Sequence, residues 1–360
     1  MALSSIASNL RSMTDQTRFE TTLMFKEAAE ASDVCRRQIA EDGGALAALA
    51  ETLRRRDPLF VMTCARGSSD HAATFAKYLI ERRLRIPVAS LGPSTVSVYD
   101  AGPRDLSRAV FIAISQSGQS PDLLASAKAA RQAGAIVIGI VNDTTSPLAD
   151  AANAVVPLLC GPERSVAATK SYLASLFAIV RLVSTWAGDA DLSAAVSETP
   201  NALQQAWDCD WSAVAEPLLK ARGLFTVSRG ALLGIAQEAA LKFKETSGLH
   251  AEAFSSAEVR HGPMAIVEDG FPVLMFVPRD AVSAGFADLS ERFSRRGAYV
   301  MSAGAALPGS VPLPFIEDLH PLVHGLAMTQ SFYRFVNALA QMRGHDPDRP
   351  PALSKVTETR

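Results

Sequence analysis

Short apolar runs alternating with longer mixed segments, and doing so twice, constrain the fold of this chain more than any other feature. In the first half the runs are "LFVMTCA" (59–65), "IPVASL" (86–91), "AVFIAIS" (109–115), "AIVIGIV" (135–141) and "AVVPLL" (154–159). Their length and Val/Ile content read as strands. Between them "SSDHAATFAKYLIERRL" (68–84) reads as a helix with serine at its cap, and "PDLLASAKAARQAG" (121–134) as one opened by proline and closed by glycine. A further helix is expected from about Val166 to Trp186. Near-continuous apolar strands alternating with helices require a parallel sheet covered on both faces, an α/β/α sandwich.

The order then recurs. "GLFTVSRG" (223–230) echoes "PLFVMTCARG" (58–67), each a run ending in Arg-Gly before a helix. "PVLMFVP" (272–278), "AYVMSAG" (298–304) and "VPLPFI" (311–316) supply further strands, with helices near Phe286–Arg296 and from about Pro321 to Arg343. Two tandem parallel-sheet α/β/α sandwiches, suggestive of internal duplication, are the expectation. The expected divisions are a helical segment over 1–45, with apolar helical periodicity from Phe19 to Leu53, units over 46–200 and 201–345, and a tail over 346–360. The boundary falls near "SETPNALQQAWDCDW" (197–211), where polar residues and a proline interrupt the pattern.

Composition narrows the class of partner. Lys plus Arg is 35 against 37 for Asp plus Glu, so the formal net charge is -2. That balance offers no basic field for nucleic acid and no polybasic membrane patch, and favours a small molecule. No run approaches the roughly 20 apolar residues of a membrane helix, and "MALSSIASNLRS" lacks the apolar centre of a secretion signal. Met13 is an alternative start, and a cytoplasmic location is expected. Cys35, Cys64, Cys160 and Cys209 show no metal-like spacing, so no metal is expected, and Cys64 reads as a buried reduced thiol.

After the third strand the chain reads "SQSGQSPD" (115–122). Strand, Ser/Gly loop and helix N-terminus form an anion-binding arrangement, because the first helical N–H groups have no internal partner and face the positive end of the dipole. Ser115, Ser117 and Ser120 would add hydroxyl donors, and Gly118 allows close backbone approach. An ordinary turn with Ser120 as cap fits the same residues. The loop matches neither G-x-G-x-x-G nor the P-loop pattern. "RGSSD" (66–70) offers a second serine pair, as ligand contact or cap, whereas "PRDAVS" in the second half lacks the Ser/Gly density.

Proton-transfer candidates lie in "EAALKFKETSGLHAEAFSSAEVRHGPMAI" (238–266). Lys242 and Glu245, three apart on an expected helix, lie on neighbouring faces, either as a surface ion pair or as a shielded carboxylate raised toward a general base's range. His261 sits in a "RHGP" turn, and Lys355 lies in the tail.

Taken together, "SQSGQS", "VAATK" (166–170), "LKFKE" (241–245), "HAEAF" (250–254), "EVRHGP" (258–263) and "LSKVTE" (353–358) resemble the sugar isomerase (SIS) domain half of the glutamine–fructose-6-phosphate aminotransferase family. The resemblance runs from about residue 35 to the end and implies a flavodoxin-like SIS fold. It further implies that Ser115, Gln116, Ser117 and Ser120, with Gly67, Ser68 and Ser69, hold a sugar phosphate. Val166 and Ala168 would contact the sugar, with Ala168 standing where the synthases have a serine. Glu245 would carry the proton between C1 and C2, Lys242 would assist, His261 would open the ring from its own or a partner subunit, and Lys355 would form a Schiff base. A homodimer and no cofactor are implied. The synthases begin with a nucleophilic cysteine after the initiator methionine. Here Ala2 follows Met1 and the first cysteine is Cys35, so the expectation is glutaminase-independent conversion of glucosamine 6-phosphate to fructose 6-phosphate and ammonia. A deglycase or deaminase for a related ketosamine or galactosamine phosphate, and a non-catalytic phosphosugar sensor, stay open.

Overall fold

The structure, a computed structural model, describes residues 19–355; Ala2, Met13 and the end of the "LSKVTE" stretch lie outside them. Three helices come first, α1 (Leu23–Ala29), α2 (Ala31–Ala40) and α3 (Ala45–Arg56). The single helical pattern read from Phe19 to Leu53 is therefore interrupted, at Glu30 and again at Gly43 and Gly44, both with positive φ. Then follow β1 (Phe60–Cys64), α4 (Ser68–Leu84), β2 (Val88–Ser90), α5 (Ser94–Ser97), β3 (Ala109–Ser115), α6 (Pro121–Gln132), β4 (Ile136–Val141), α7 (Pro147–Ala151) and β5 (Ala154–Pro157). Helices α8 (Lys170–Ala187), α9 (Ala190–Ala206) and α10 (Ala215–Leu219) lead to β6 (Gly223–Ser228), α11 (Leu233–Ser247), β7 (His250–Ser255) and β8 (Pro272–Phe276). The chain continues with α12 (Phe286–Arg295), β9 (Tyr299–Ala303), β10 (Ser310–Pro312) and α13 (Pro321–Met342).

Both sheets are five-stranded and wholly parallel, in the orders β2-β1-β3-β4-β5 and β10-β9-β8-β6-β7. Read from β6, the second order is the first one repeated, so two α/β sandwiches of one topology follow each other. Every residue of β3 and of β8 is buried, which is why these strands read as unbroken apolar runs rather than alternating ones.

Three elements depart from the sequence reading. The proposed boundary at 197–211 is mostly helix, because α9 carries Pro200 in its interior and ends only at Ala206. Burial of Ala195, Thr199, Ala202 and Leu203 outweighs the lost backbone hydrogen bond, and the Pro200 carbonyl is used from outside by the Ser32 hydroxyl at 2.8 Å. The strand β7 was hidden, since "HAEAFS" has no apolar run; it is an edge strand whose Ala251 alone is fully inside. The helix expected from Val166 begins at Lys170.

Helices α8, α11 and α13 fill the space between the sheets. Around Trp211, Phe243, Phe276 and Phe332 the rings meet at centroid distances of 5.2 to 6.5 Å. Each such buried ring contributes roughly 1.5–3 kcal/mol relative to exposure. Cys64 is buried in β1, and burial pushes its thiol up to about 12, as an inert core thiol requires. Among the described residues no helix is long and apolar enough to cross a membrane.

Candidate active site between the two sheets

In an order of this kind the chain reverses direction across the sheet between β1 and β3, and the loops leaving their carboxyl ends diverge to leave a crevice. Both serine-bearing loops read from the sequence leave those two strands. In the loop after β3 the Ser115 hydroxyl accepts from Gly118 N at 3.0 Å and the Ser117 hydroxyl from Gln119 N at 3.3 Å. Neighbours pin it, with Asn142 N donating to Gln116 O and Leu148 N to Gly118 O, each at 3.2 Å. Gly118 has φ +62°, and a Cβ there would lie 2.1 Å from the Ser146 hydroxyl, so only glycine fits.

Ser120 stands at the N-cap position of α6, yet its side chain makes no cap hydrogen bond. The first turn is instead organised by Asp122, which is fully buried and accepts Arg66 Nε at 3.0 Å and Nη2 at 2.8 Å. One ion pair thus ties the β1 loop to the β3 loop. Serine was also expected to cap α4, but the cap position is Gly67, with φ 54° and ψ -134°, and Ser68 and Ser69 open the first turn.

Helix α4 of the first unit crosses α11 of the second. At Gly234 a Cβ would come within 2.4 Å of His71 O and 3.1 Å of Phe75 N, so glycine lets the two backbones touch. That contact brings Ser68 and His71 onto the charged face of α11. Glu238, Lys242 and Glu245, spaced four and three apart, share that face. Lys242 Nζ lies 2.5 Å from Glu245 Oε2, 3.3 Å from Glu238 Oε1 and 3.1 Å from the Ser68 hydroxyl. Glu238 also accepts from Ser68 at 3.2 Å and from the Tyr333 hydroxyl at 3.0 Å, and its second oxygen is 3.0 Å from His71 Nδ1.

The sequence alternative of a surface ion pair for Lys242 and Glu245 does not hold, because the Lys242 and Glu238 side chains are fully buried and Glu245 is 20% exposed. Burial opposes the charge on Lys242, but Glu238 and Glu245 outweigh it and hold its ammonium above the usual lysine range. Burial likewise opposes ionisation of Glu238, and Lys242, His71 and Ser68 together bring its carboxyl below the usual range. A buried ammonium clamped between two carboxylates, one of them reachable from solvent, is an arrangement that can exchange a proton against a fixed counter-charge.

A third part lies between β5 and α8. Glu163 is buried, and its carboxylate accepts from Thr169 N at 3.0 Å, Ser171 N at 3.1 Å, the Ser171 hydroxyl at 2.6 Å and Lys355 Nζ at 3.1 Å. Burial disfavours its charge, but Lys355 and these donors hold its carboxyl below the usual range. Val166 and Ala168 are the half-buried residues of the loop so braced. Val166 N reaches Asp348 O at 3.4 Å, and the Asp348 carboxylate takes Leu23 N and Met24 N at 2.7 Å each. The tail and α1 therefore close over this loop together.

His261 is exposed in the turn after Glu258–Arg260, and among the described residues no hydrogen bond joins it to the Lys242 cluster. The structure thus brings together Ser68, Lys242 and Glu245, pairs Lys355 with the loop of Val166 and Ala168, and leaves His261 apart. Sequence reasoning passed over Glu238, His71, Tyr333, Glu163, Arg66 and Asp122. Only Glu238 had a legible signal, since it continues the Lys242–Glu245 face by one turn. No group of three or more potential metal ligands of the His, Cys, Asp and Glu types occurs among the described residues. Two cavities lie elsewhere, of about 470 Å³ beside α3 and β5 and about 600 Å³ at the ends of β8 and β9.

Comparison with known proteins supplies the wider setting. The family profile described as "SIS domain" matches residues 53–185 and 217–302. Glutamine–fructose-6-phosphate aminotransferase (isomerizing) of Brucella abortus is 31% identical over 320 residues, 83% of this chain and 51% of the relative. The Thermococcus kodakarensis protein of the same name is 31% identical over 353 residues, 92% of this chain and 57% of the relative. The chain spans about half the length of the curated relatives it matches. Among solved structures, a candidate phosphosugar isomerase from Silicibacter pomeroyi matches with TM-score 0.86 and 43% identity, over 91% of this chain and 100% of that one. Glucosamine-6-phosphate deaminase from Thermotoga maritima matches with TM-score 0.76 and 21% identity, over 94% and 100%, a likeness of fold.

Proposed function

Because the chain belongs to the SIS domain family, we propose that it is a phosphosugar isomerase and that its reaction is the isomerising deamination of glucosamine 6-phosphate. The observation that carries this is the Lys242–Glu245 couple, bonded through Ser68 to the loop beside the serine cradle. The phosphoryl group sits on Ser115, Gln116, Ser117 and Ser120 and the α6 N-terminus, with Gly67, Ser68 and Ser69 opposite, and the sugar rests on Val166 and Ala168. In the open-chain form Glu245 takes the C2 proton and returns it to C1, and the C2 amine gives up a proton as O1 gains one, so the C1 aldehyde becomes an alcohol and C2 an imine. Lys242 balances the charge as Glu245 passes between its two states. Water then adds to C2 and ammonia leaves, giving fructose 6-phosphate.

His261 opens the ring, reaching the site from the partner of a homodimer. Lys355, which the Glu163 carboxylate holds beside the sugar loop, forms a Schiff base with the C2 ketone once it has lost its proton. That seat also favours a second reading, deglycation of a ketosamine phosphate, in which the same amine meets a C2 ketone. Incubating the purified chain with millimolar glucosamine 6-phosphate should yield ammonia and fructose 6-phosphate in equal amounts. Turnover of a ketosamine phosphate instead would select the second reading, and no turnover of either would overturn both.

A further inference from the structure

The Lys242–Glu245 couple is one end of a chain of charges whose other end is His71. Glu238 bridges them, with one oxygen 3.3 Å from Lys242 Nζ and the other 3.0 Å from His71 Nδ1. The two residues come from different sandwiches, and the glycine contact at Gly234 holds their helices at this spacing. His71 is 18% exposed and Glu238 fully buried, so the link runs through protein rather than water. Glu238 of α11 meets the His71 ring and Asp70 on its own helix interacts with it; behind Glu238 stand Lys242 and Glu245 of α11 and Tyr333 of α13, while Tyr172 of α8 donates to Gly234 O. Tyr333 occupies the oxygen of Glu238 that also meets Lys242, and among the described residues Oε2 is left to the imidazole.

The charge count gives this geometry a consequence. With Glu238 and Glu245 ionised and Lys242 an ammonium, the buried group carries one uncompensated negative charge, and an imidazolium at His71 removes it. We propose that His71 is a positioning residue that sets how readily Glu245 takes up a proton, acting through Glu238 and Lys242; this rests on the isomerase reading above. A charged His71 draws on the Glu238 carboxylate, leaves Lys242 more fully to Glu245 and favours the ionised base. A neutral His71 leaves the group negative and favours the protonated one. The sign follows: removing the charge at His71 shifts loss of activity on acidification to higher pH.

The test uses the full chain with glucosamine 6-phosphate. His71→Ala, which leaves Glu238 Oε2 without a donor, should lower kcat about 10-fold or more with KM changed less than about 3-fold. His71→Gln, which keeps a donor but no charge, should recover most of the kcat plateau while the acidic limb of its pH profile moves up by on the order of half a unit to one unit. An acidic limb unmoved in His71→Gln overturns the proposal, because a merely structural histidine would leave it in place. The same coupling can be read without substrate or any change at His71. In histidine-labelled protein followed by NMR, Glu245→Gln should lower the titration midpoint of the His71 ring, and an unmoved midpoint overturns the proposal even if the His71 variants fail to fold. If the wild-type chain turns over no phosphosugar while that midpoint still responds, the functional reading has failed and the coupling stands.

Discussion

The two sandwiches share a strand order and differ at the same edge. After β3 the first carries a neutral Ser/Gly loop, pinned by backbone contacts and tied to the β1 loop through Arg66 and Asp122. After β8 the second carries Arg279 and Asp280, both committed elsewhere, Arg279 to Glu317 O at 3.0 Å and Asp280 to Arg82. What the second unit adds instead is the charged face of α11, and the first unit's α4 packs directly on it. One topology thus carries two different sets of groups: a loop of backbone and hydroxyl groups in the first unit, and a buried Lys–Glu cluster on a helix in the second. The difference lies in a few loop and helix-face residues, since β3 and β8 beneath those loops are each buried along their whole length.

That division can be broken on either side. On the proton-transfer side, Glu245→Gln should lower kcat by on the order of 10³-fold while phosphosugar still raises the melting temperature. Loss of binding together with activity would remove the separation. At the seam between the units, Gly234→Ala sets a methyl group against the α4 backbone. It should cost about 1–3 kcal/mol of stability by denaturant unfolding and about 10²-fold in kcat, because the helices must part. On the anion side, Gly118→Ala meets both the positive φ and the Ser146 hydroxyl. It should weaken phosphosugar binding about 10-fold by calorimetry, with a smaller change in kcat.

The smallest effect concerns the Glu163 clamp. The carboxyl of Glu163 is held below its usual range, burial being outweighed by Lys355 and the α8 donors, so its contribution to stability is present above the ordinary carboxylate range and lost as pH falls through its lowered value. Lys355→Ala removes one of those partners. It should cost about 1 kcal/mol near neutral pH and progressively less in acid, read from urea midpoints across pH. A cost independent of pH would mean that Lys355 acts there by packing alone.

Much of the frame was legible. The run "AVFIAIS" became β3 and "SSDHAATFAKYLIERRL" became α4, because burial on both faces and helical periodicity leave marks along a single segment. Elements whose stability comes from neighbours did not show: α9 runs through Pro200 because it is packed on α2 and α13, and β7 exists because β6 offers it an edge. The site divides the same way. "SQSGQS" and the spacing of Lys242 and Glu245 announce local chemistry, but nothing near "RGSSDH" says that His71 meets Glu238 of another sandwich.

The sequence by itself determined two parallel α/β sandwiches, a Ser/Gly loop at the end of one strand and a Lys–Glu pair on one helix. Each of these is written in residues a few positions apart, where periodicity and backbone geometry act. Only the tertiary structure decided that the pair is buried, that Glu238 and His71 share its charge and that Lys355 seats on Glu163. Burial and charge compensation are properties of groups far apart in the chain, 167 residues for His71 and Glu238 and 192 for Lys355 and Glu163, which only tertiary packing brings within hydrogen-bond reach.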